Sequence, residues 1–415
     1  MARRAVFRGV SSPSQGPIFG QQPKALETPE AQLDPFGWYA EMRERGVEYD
    51  PDRECWDVFR YDDVKRVLRE YETFSSDLSR AESGPSSGDE EVALGETMIT
   101  SDPPRHDRLR DVVDEFFTPG AVRELRPRIE ELTDDLLYDA TDGGRMDVID
   151  DLAYPLPVTV IAEMLGVSAA DREQFKAWSD MVVAAPEKES PEALSDLQEE
   201  RMEAMHEMGA YFWEMIGERR EEPRDDLISA VVHAETEGEP LTDVEVVGFC
   251  MLLLIAGNIT TTNLIGNAVW SFVEAGVWED LRGGALELKP AIEEALRYRS
   301  PVQEMSRVTT EEVEIAGETI GADEEVVAWI GSANRDGGVF YDADEFVPDR
   351  KPNQHIAFGH GIHYCLGAPL ARLESEVVLS ALVESIRDVE IAGELQPVKS
   401  PIVYGPEHLP IRFDA

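Results

Sequence analysis

Phe358-Gly-His-Gly-Ile-His-Tyr-Cys-Leu-Gly367 is the stretch that decides how this chain is read. Gly359 and Gly361 precede Cys365 and allow a tight turn with close backbone approach. A helical pattern starts at Gly367 (Ala-Pro-Leu-Ala-Arg-Leu-Glu-Ser-Glu-Val-Val follows), so the unpaired N–H groups of its first turn point back at the sulfur. Those dipoles favour thiolate, the form of cysteine that ligates metal. The other two cysteines, Cys55 and Cys250, have no paired spacing, so neither a disulfide framework nor a zinc site is indicated.

Outward from this loop, chemistry-bearing residues recur in short groups. Glu294-Ala-Leu-Arg297 sets an acid and a base on one helix face at spacing i, i+3. Ala333-Asn-Arg-Asp336 and Phe346-Val-Pro-Asp-Arg350 follow it. Near the front, Asp102-Pro-Pro-Arg-His106-Asp-Arg-Leu-Arg110 places His106 and Arg110 one turn apart, within reach of a single anion. Arg307 lies in Ser306-Arg-Val-Thr. Thr242-Asp-Val-Glu245 is a capping box that opens an apolar helix running to about Ala275. That helix carries Ala256-Gly-Asn-Ile-Thr260-Thr-Thr. Leu288 to Tyr298 predicts a shorter helix, Glu54 to Tyr61 a half-buried strand, and Val313 to Ile330 strands and turns.

Together and in this order, these groups resemble the cytochrome P450 family, whose heme-binding loop reads Phe-Gly-x-Gly-x-His-x-Cys-Leu-Gly. Every fixed position is matched, and the resemblance runs from about Asp34 to the C-terminus. It implies a mostly α fold with small β-sheets in a single domain, residues 34–415, behind a loose tail of residues 1–33. Heme b would lie between the long distal helix and the Cys365 loop. The resemblance makes Cys365 the axial iron ligand, sets Phe358 and Gly359 on the proximal side, and brings His106, Arg110, Arg307 and His363 to the heme propionates. Glu294, Arg297 and Arg350 become a buried network that props up the proximal loop.

On the distal side, Ala256 and Gly257 would leave room for dioxygen, and Thr260 would meet it or the waters that protonate it. The family has an acid before this threonine; here the residue is Ile259, which cannot carry a proton. Asn258 or a chain of waters is expected in its place. The implied activity is insertion of one oxygen atom into an apolar small molecule. Electrons would come from a separate ferredoxin or flavodoxin, because this chain shows no flavin or iron–sulfur module. Peroxide-driven oxidation and a non-catalytic heme sensor or carrier are the rival readings. Basic segments at Arg105 to Arg110, Arg123 to Arg128 and Arg350-Lys351 are expected to dock the electron carrier. Arg80 to Glu91 and Asp180 to Met208 are expected to act as lids.

Composition narrows the setting. Eighty-five acidic residues face 38 basic ones, a formal net charge of −47 over 415 residues. Such a field repels nucleic acid and drives self-repulsion in dilute buffer, so a monomer is expected. Salt relieves it, because the Debye length falls from about 10 Å at 0.1 M to about 3 Å at 1 M. A salt-rich cytoplasm, as in a halophile, is the setting this predicts. The longest apolar run, Phe249 to Gly257, is far short of the roughly 20 residues that span a bilayer, so no membrane insertion is expected. The opening residues carry arginines with no apolar segment behind them, unlike a secretory signal.

Overall fold

The computed structural model describes residues 22–81, 97–141, 143–183, 191–236, 239–400 and 402–414. Helices dominate, and the strands gather into one five-stranded sheet, one three-stranded sheet and two hairpins among these residues. The five-stranded sheet runs in the order Val47–Asp50, Cys55–Val58, Glu325–Ala328, Met305–Thr309, Phe74–Ser75. The expected strand at 54–61 is therefore real but short. Tyr61 instead opens a helix, Tyr61–Arg69, whose buried face is Tyr61, Val64, Val67 and Leu68.

The capping box forms as predicted. Thr242 Oγ1 accepts from Glu245 N, the Glu245 carboxylate accepts from Thr242 N at 2.9 Å, and the distal helix runs Asp243–Glu274. By length and apolarity it would also suit a membrane. Here it packs instead against Pro155–Leu165, Pro191–Glu221, Leu288–Tyr298 and Ala368–Ser385. That packing makes the largest apolar cluster, and a second cluster lies against the five-stranded sheet.

Order begins earlier than residue 34. Thr28 caps a helix at Pro29–Leu33, and Leu26 is buried with Tyr39, Met42, Phe59 and Trp329. Ala31 and Leu33 pack on buried clusters as well, and Tyr404 donates to Leu33 O at 2.7 Å, so the tail of residues 1–33 is corrected: residues 22–33 belong to the fold. Most of the expected Arg80 to Glu91 lid lies outside the described residues. The Asp180 to Met208 segment joins the end of Arg172–Val183 to Pro191–Glu221, with residues 184–190 again outside them.

Candidate heme site

The cysteine loop is built by its glycines. Gly359 and Gly361 sit at φ +74° and +79°, a region that side chains resist. A Cβ on Gly361 would lie 2.8 Å from Leu68 O and 2.9 Å from Arg69 Cα, so the loop packs flat against the end of the Tyr61–Arg69 helix. Cys365 N donates to Phe358 O at 2.9 Å, which closes the turn. The helix then begins at Ala368, and the N–H groups of Gly367 and Ala368 point at the sulfur. Burial nevertheless wins for the thiol and pushes it up, against those N–H groups, Arg110 and Arg372.

Two observations locate an internal space. Cys365 is accessible, although protein surrounds it on nearly every side. Ala256, midway along a helix packed by four others, is exposed as well. The distal helix and the cysteine loop touch where Leu264 meets Ala357, Ala371 and Phe358, about two turns beyond Ala256. The exposure of Ala256 and Cys365 to either side of that contact marks room between them.

A cluster of basic side chains, not all of them paired, lies at the edge of this space. His106 is buried; Asp107 Oδ1 holds its Nδ1 at 2.9 Å, and its buried Nε2 has no partner among the described residues. The His363 ring stands 4.4 Å from that of His106, and its Nε2 meets Ser76 Oγ at 2.9 Å. Burial, Arg307, His106 and Arg110 together push His363 down to about 2. Arg110 donates to Ile362 O at 3.1 Å, which ties it to the cysteine loop. Arg307 is buried with no carboxylate paired to it among the described residues; burial lowers it to about 10 while Asp102 pulls it back up. Four segments of the chain thus converge on one point. There Arg110 pairs with Asp114 at 3.1 Å and His106 with Asp107, while Arg307 has no carboxylate paired to it among the described residues and His106 Nε2 stays open. Heme b fits: a flat apolar body for the space, and two propionates for the orphaned imidazole and arginine.

Behind the loop, Glu294, Arg297 and Arg350 form the expected network, all almost completely buried. Arg297 holds both Glu294 oxygens at 2.8 and 2.7 Å, and Arg350 Nε holds the same carboxylate at 2.9 Å. Asn334, whose carbonyl accepts from Arg297, accepts Ile356 N on its side chain at 2.8 Å and so passes the order to the loop. A second layer was not foreseen. Glu293 accepts from Arg372 at 2.6 Å and meets His355 at 2.9 Å, and Arg372 lies over the Phe358 ring at 4.4 Å. Nothing in the sequence separates Glu293 from any other helix-surface glutamate.

The distal residues divide. Thr260 Oγ1 donates to Ala256 O at 2.8 Å, a bond back along its own helix. Gly257 is small for a different reason than expected: a Cβ there would stand 3.1 Å from Ile161, so its bareness serves helix packing. Asn258 is fully buried on the far side, donating to Ser179 Oγ at 2.9 Å and accepting from Thr262 at 3.4 Å. Its amide is engaged on both ends, which argues against the proton-relay expectation.

The basic segments are corrected too. Arg350 is buried in the network and offers nothing to a partner. Arg126 pairs with Glu376 at 2.7 Å, Arg128 with Glu163 at 2.8 Å, and Arg105 and Arg108 reach Glu245 at 3.8 and 3.5 Å.

An accessible thiol that protein surrounds on nearly every side, with Arg307 and His106 open beside it, defines a heme-thiolate protein. Residues 287–397 match the Cytochrome P450 family. Cytochrome P450 109 of Bacillus spizizenii is 43% identical over 94% of this chain and 94% of its own. Erythromycin C-12 hydroxylase of Saccharopolyspora erythraea is 40% identical over 90% of this chain and 93% of its own. The crystal structure of CYP109E1 from Bacillus megaterium in complex with testosterone superposes with a TM-score of 0.86 at 45% identity, covering 94% and 100% of the two chains. The chain belongs to the cytochrome P450 family; it is an oxidoreductase of the monooxygenase class, and its cofactor is heme b.

Proposed function

We propose that the chain inserts one atom of dioxygen into an apolar small molecule, with Cys365 as the iron ligand and electrons from a separate ferredoxin-type carrier. The space between Ala256 and Cys365, with Arg307 and the open His106 Nε2 at its rim, carries this reading. Heme, when bound, supplies the redox-active iron at which dioxygen is reduced. Cys365 anchors it while the Gly367 and Ala368 N–H groups hold the sulfur's charge in place. His106, Arg110, Arg307 and His363 receive the propionates. Glu294, Arg297 and Arg350 keep the proximal loop from moving. Thr260, its hydrogen committed to Ala256 O, orients water through its lone pairs.

Substrate class follows from the distal wall. Between Glu245 and Glu274 the helix has no Asp, Glu, Lys, Arg or His, so it offers an apolar face with a few hydroxyls and amides. The carrier's contact is less basic than the sequence suggests, since most of the arginines expected there are paired within the chain. The net charge of −47 fits a salt-rich cytoplasm and a monomer.

The test is the carbon monoxide spectrum of the reduced protein in high salt, for wild type and Cys365→His. A strongly red-shifted Soret band in wild type, lost in the variant, is the expected result. A histidine-type band in wild type would overturn the assignment of Cys365. Turnover with ferredoxin, with peroxide alone, or with neither then separates monooxygenase, peroxygenase and sensor.

A further inference from the structure

At the rim of the heme space a carboxylate and a guanidinium act on each other without meeting. Asp102 precedes the helix Arg105–Val113 and is half-buried. Its Oδ2 accepts from Ser75 Oγ and its Oδ1 from Ser76 N at 3.0 Å, and both serines are buried. Its backbone carbonyl accepts from His106 N at 3.0 Å. Asp102 is also the charge that offsets the burial of Arg307. Yet the Arg307 side chain hydrogen-bonds only Ser306 O among the described residues.

A structural ion pair would be built differently. Opposite charges taken out of water gain most when they close into a charge-assisted hydrogen bond. Here a hydroxyl and an amide hold the carboxylate in place, and the guanidinium keeps its donors for another anion. The same carboxylate sets both imidazoles. Ser76, fixed by Asp102 at its N–H, meets His363 Nε2 with its hydroxyl at 2.9 Å, and His106 enters its helix on the Asp102 carbonyl. A half-buried negative charge at this edge has a further consequence. It favours ferric over ferrous heme, because the ferric state carries one more positive charge and the protein's low dielectric keeps the attraction strong.

We infer that Asp102 is the positioning residue of the propionate rim and the charge that holds the heme potential down; this rests on the reading of His106, Arg307 and His363 as propionate partners. Asp102 acts through its neighbours. It draws the Arg307 guanidinium to the rim without occupying its donors, fixes His363 through Ser76, and fixes His106 through its carbonyl. An asparagine could keep the Ser76 bond, but it would supply neither the charge nor a second acceptor for the Ser75 hydroxyl.

The test uses the holoenzyme in high salt and measures the ferric–ferrous midpoint potential by dye-coupled titration, together with the rate of heme transfer to excess apomyoglobin. Asp102→Asn should shift the potential to more positive values and release heme several-fold faster. Asp102→Glu, which keeps the charge, should bring the potential back towards wild type. Ser76→Ala removes the hydroxyl that meets His363 but leaves the charge, so it should speed heme release with the potential unmoved. In an Arg307→Met background, Asp102→Asn should add little to the rate of release, because the group that Asp102 draws is gone. A potential that stays put or falls in Asp102→Asn, an equal shift in Ser76→Ala, or full additivity with Arg307→Met would each overturn the inference. Arg307→Met by itself keeps the two readings apart. Unchanged heme release in that variant sinks the propionate reading. Faster release there, with neither quantity moved by Asp102→Asn, sinks the role of Asp102 alone.

Discussion

Two arginines, Arg297 and Arg307, are about equally buried, at 0% and 3% exposure, and the chain treats them in opposite ways. Arg297 donates to both oxygens of Glu294 and to the carbonyls of Asn334, Ala343 and Glu345 at 2.7–3.0 Å. Among the described residues the Arg307 side chain makes one bond, to Ser306 O at 2.7 Å, and has only the field of Asp102 to offset its burial. The first guanidinium is complete within the protein. The second is complete only when an anion arrives from outside the chain. One marks architecture and the other marks a cofactor, a distinction that burial alone would not reveal.

The comparison breaks most visibly at Arg297. Arg297→Ala leaves Glu294, itself 0% exposed, with Arg350 as its remaining charged partner. Removing one partner from a buried ion network costs about 3–5 kcal/mol. The expected outcome is a large fall in thermal midpoint and weak heme retention, measured by calorimetry and heme content in high salt. A loss of less than about 1 kcal/mol would mean that the network is not what holds the proximal loop.

How far the sequence reveals this depends on how each contact is encoded. The Cys365 loop and the Glu294–Arg297 pair are short-range patterns that the family resemblance picks out, and Arg350 followed from the same resemblance. The long helix was legible from its capping box and apolar run. Asn258 was misread because spacing cannot say which face of a helix meets the cavity; the packing of Ser179 decided that. Glu293 was missed for the same reason. It is a glutamate on a helix, and only the assembled fold shows that it is doubly bonded. The basic segments misled because their acidic partners come from distant helices: Glu163, Glu245 and Glu376.

Arg307→Met sharpens the contrast, because its two effects should have opposite signs. Without heme, an apolar side chain in place of an unpaired buried cation should stabilise the protein by about 1 kcal/mol or more. With heme, a propionate loses a charged hydrogen-bond donor, an interaction of about 1.5 kcal/mol or more, so heme should leave roughly tenfold faster. Thermal unfolding of the apoprotein and heme transfer to an excess of apomyoglobin measure the two. If both fall together, Arg307 is structural and the distinction drawn from Arg297 fails.

The smallest effect lies in the outer layer of the network. Burial raises the Glu293 carboxyl, but hydrogen bonds from His355 and Arg372 more than offset this and hold it down at about 2, against an ordinary 4.5. The unfolded chain takes up this proton as pH falls past about 4.5, whereas the folded chain resists until about 2, so the unfolded state binds more protons between these values. Glu293 therefore contributes its full stabilisation above pH 4.5 and loses it progressively down to about 2. Glu293 is about a third exposed, so solvent screening leaves less than the full shift would give, about 1–2 kcal/mol. Glu293→Gln should lower the thermal midpoint slightly at pH 7 and flatten its decline across the acid window. Curves for wild type and variant that stay parallel would show that the outer layer adds no stability, and that the proximal side rests on the Glu294 core alone.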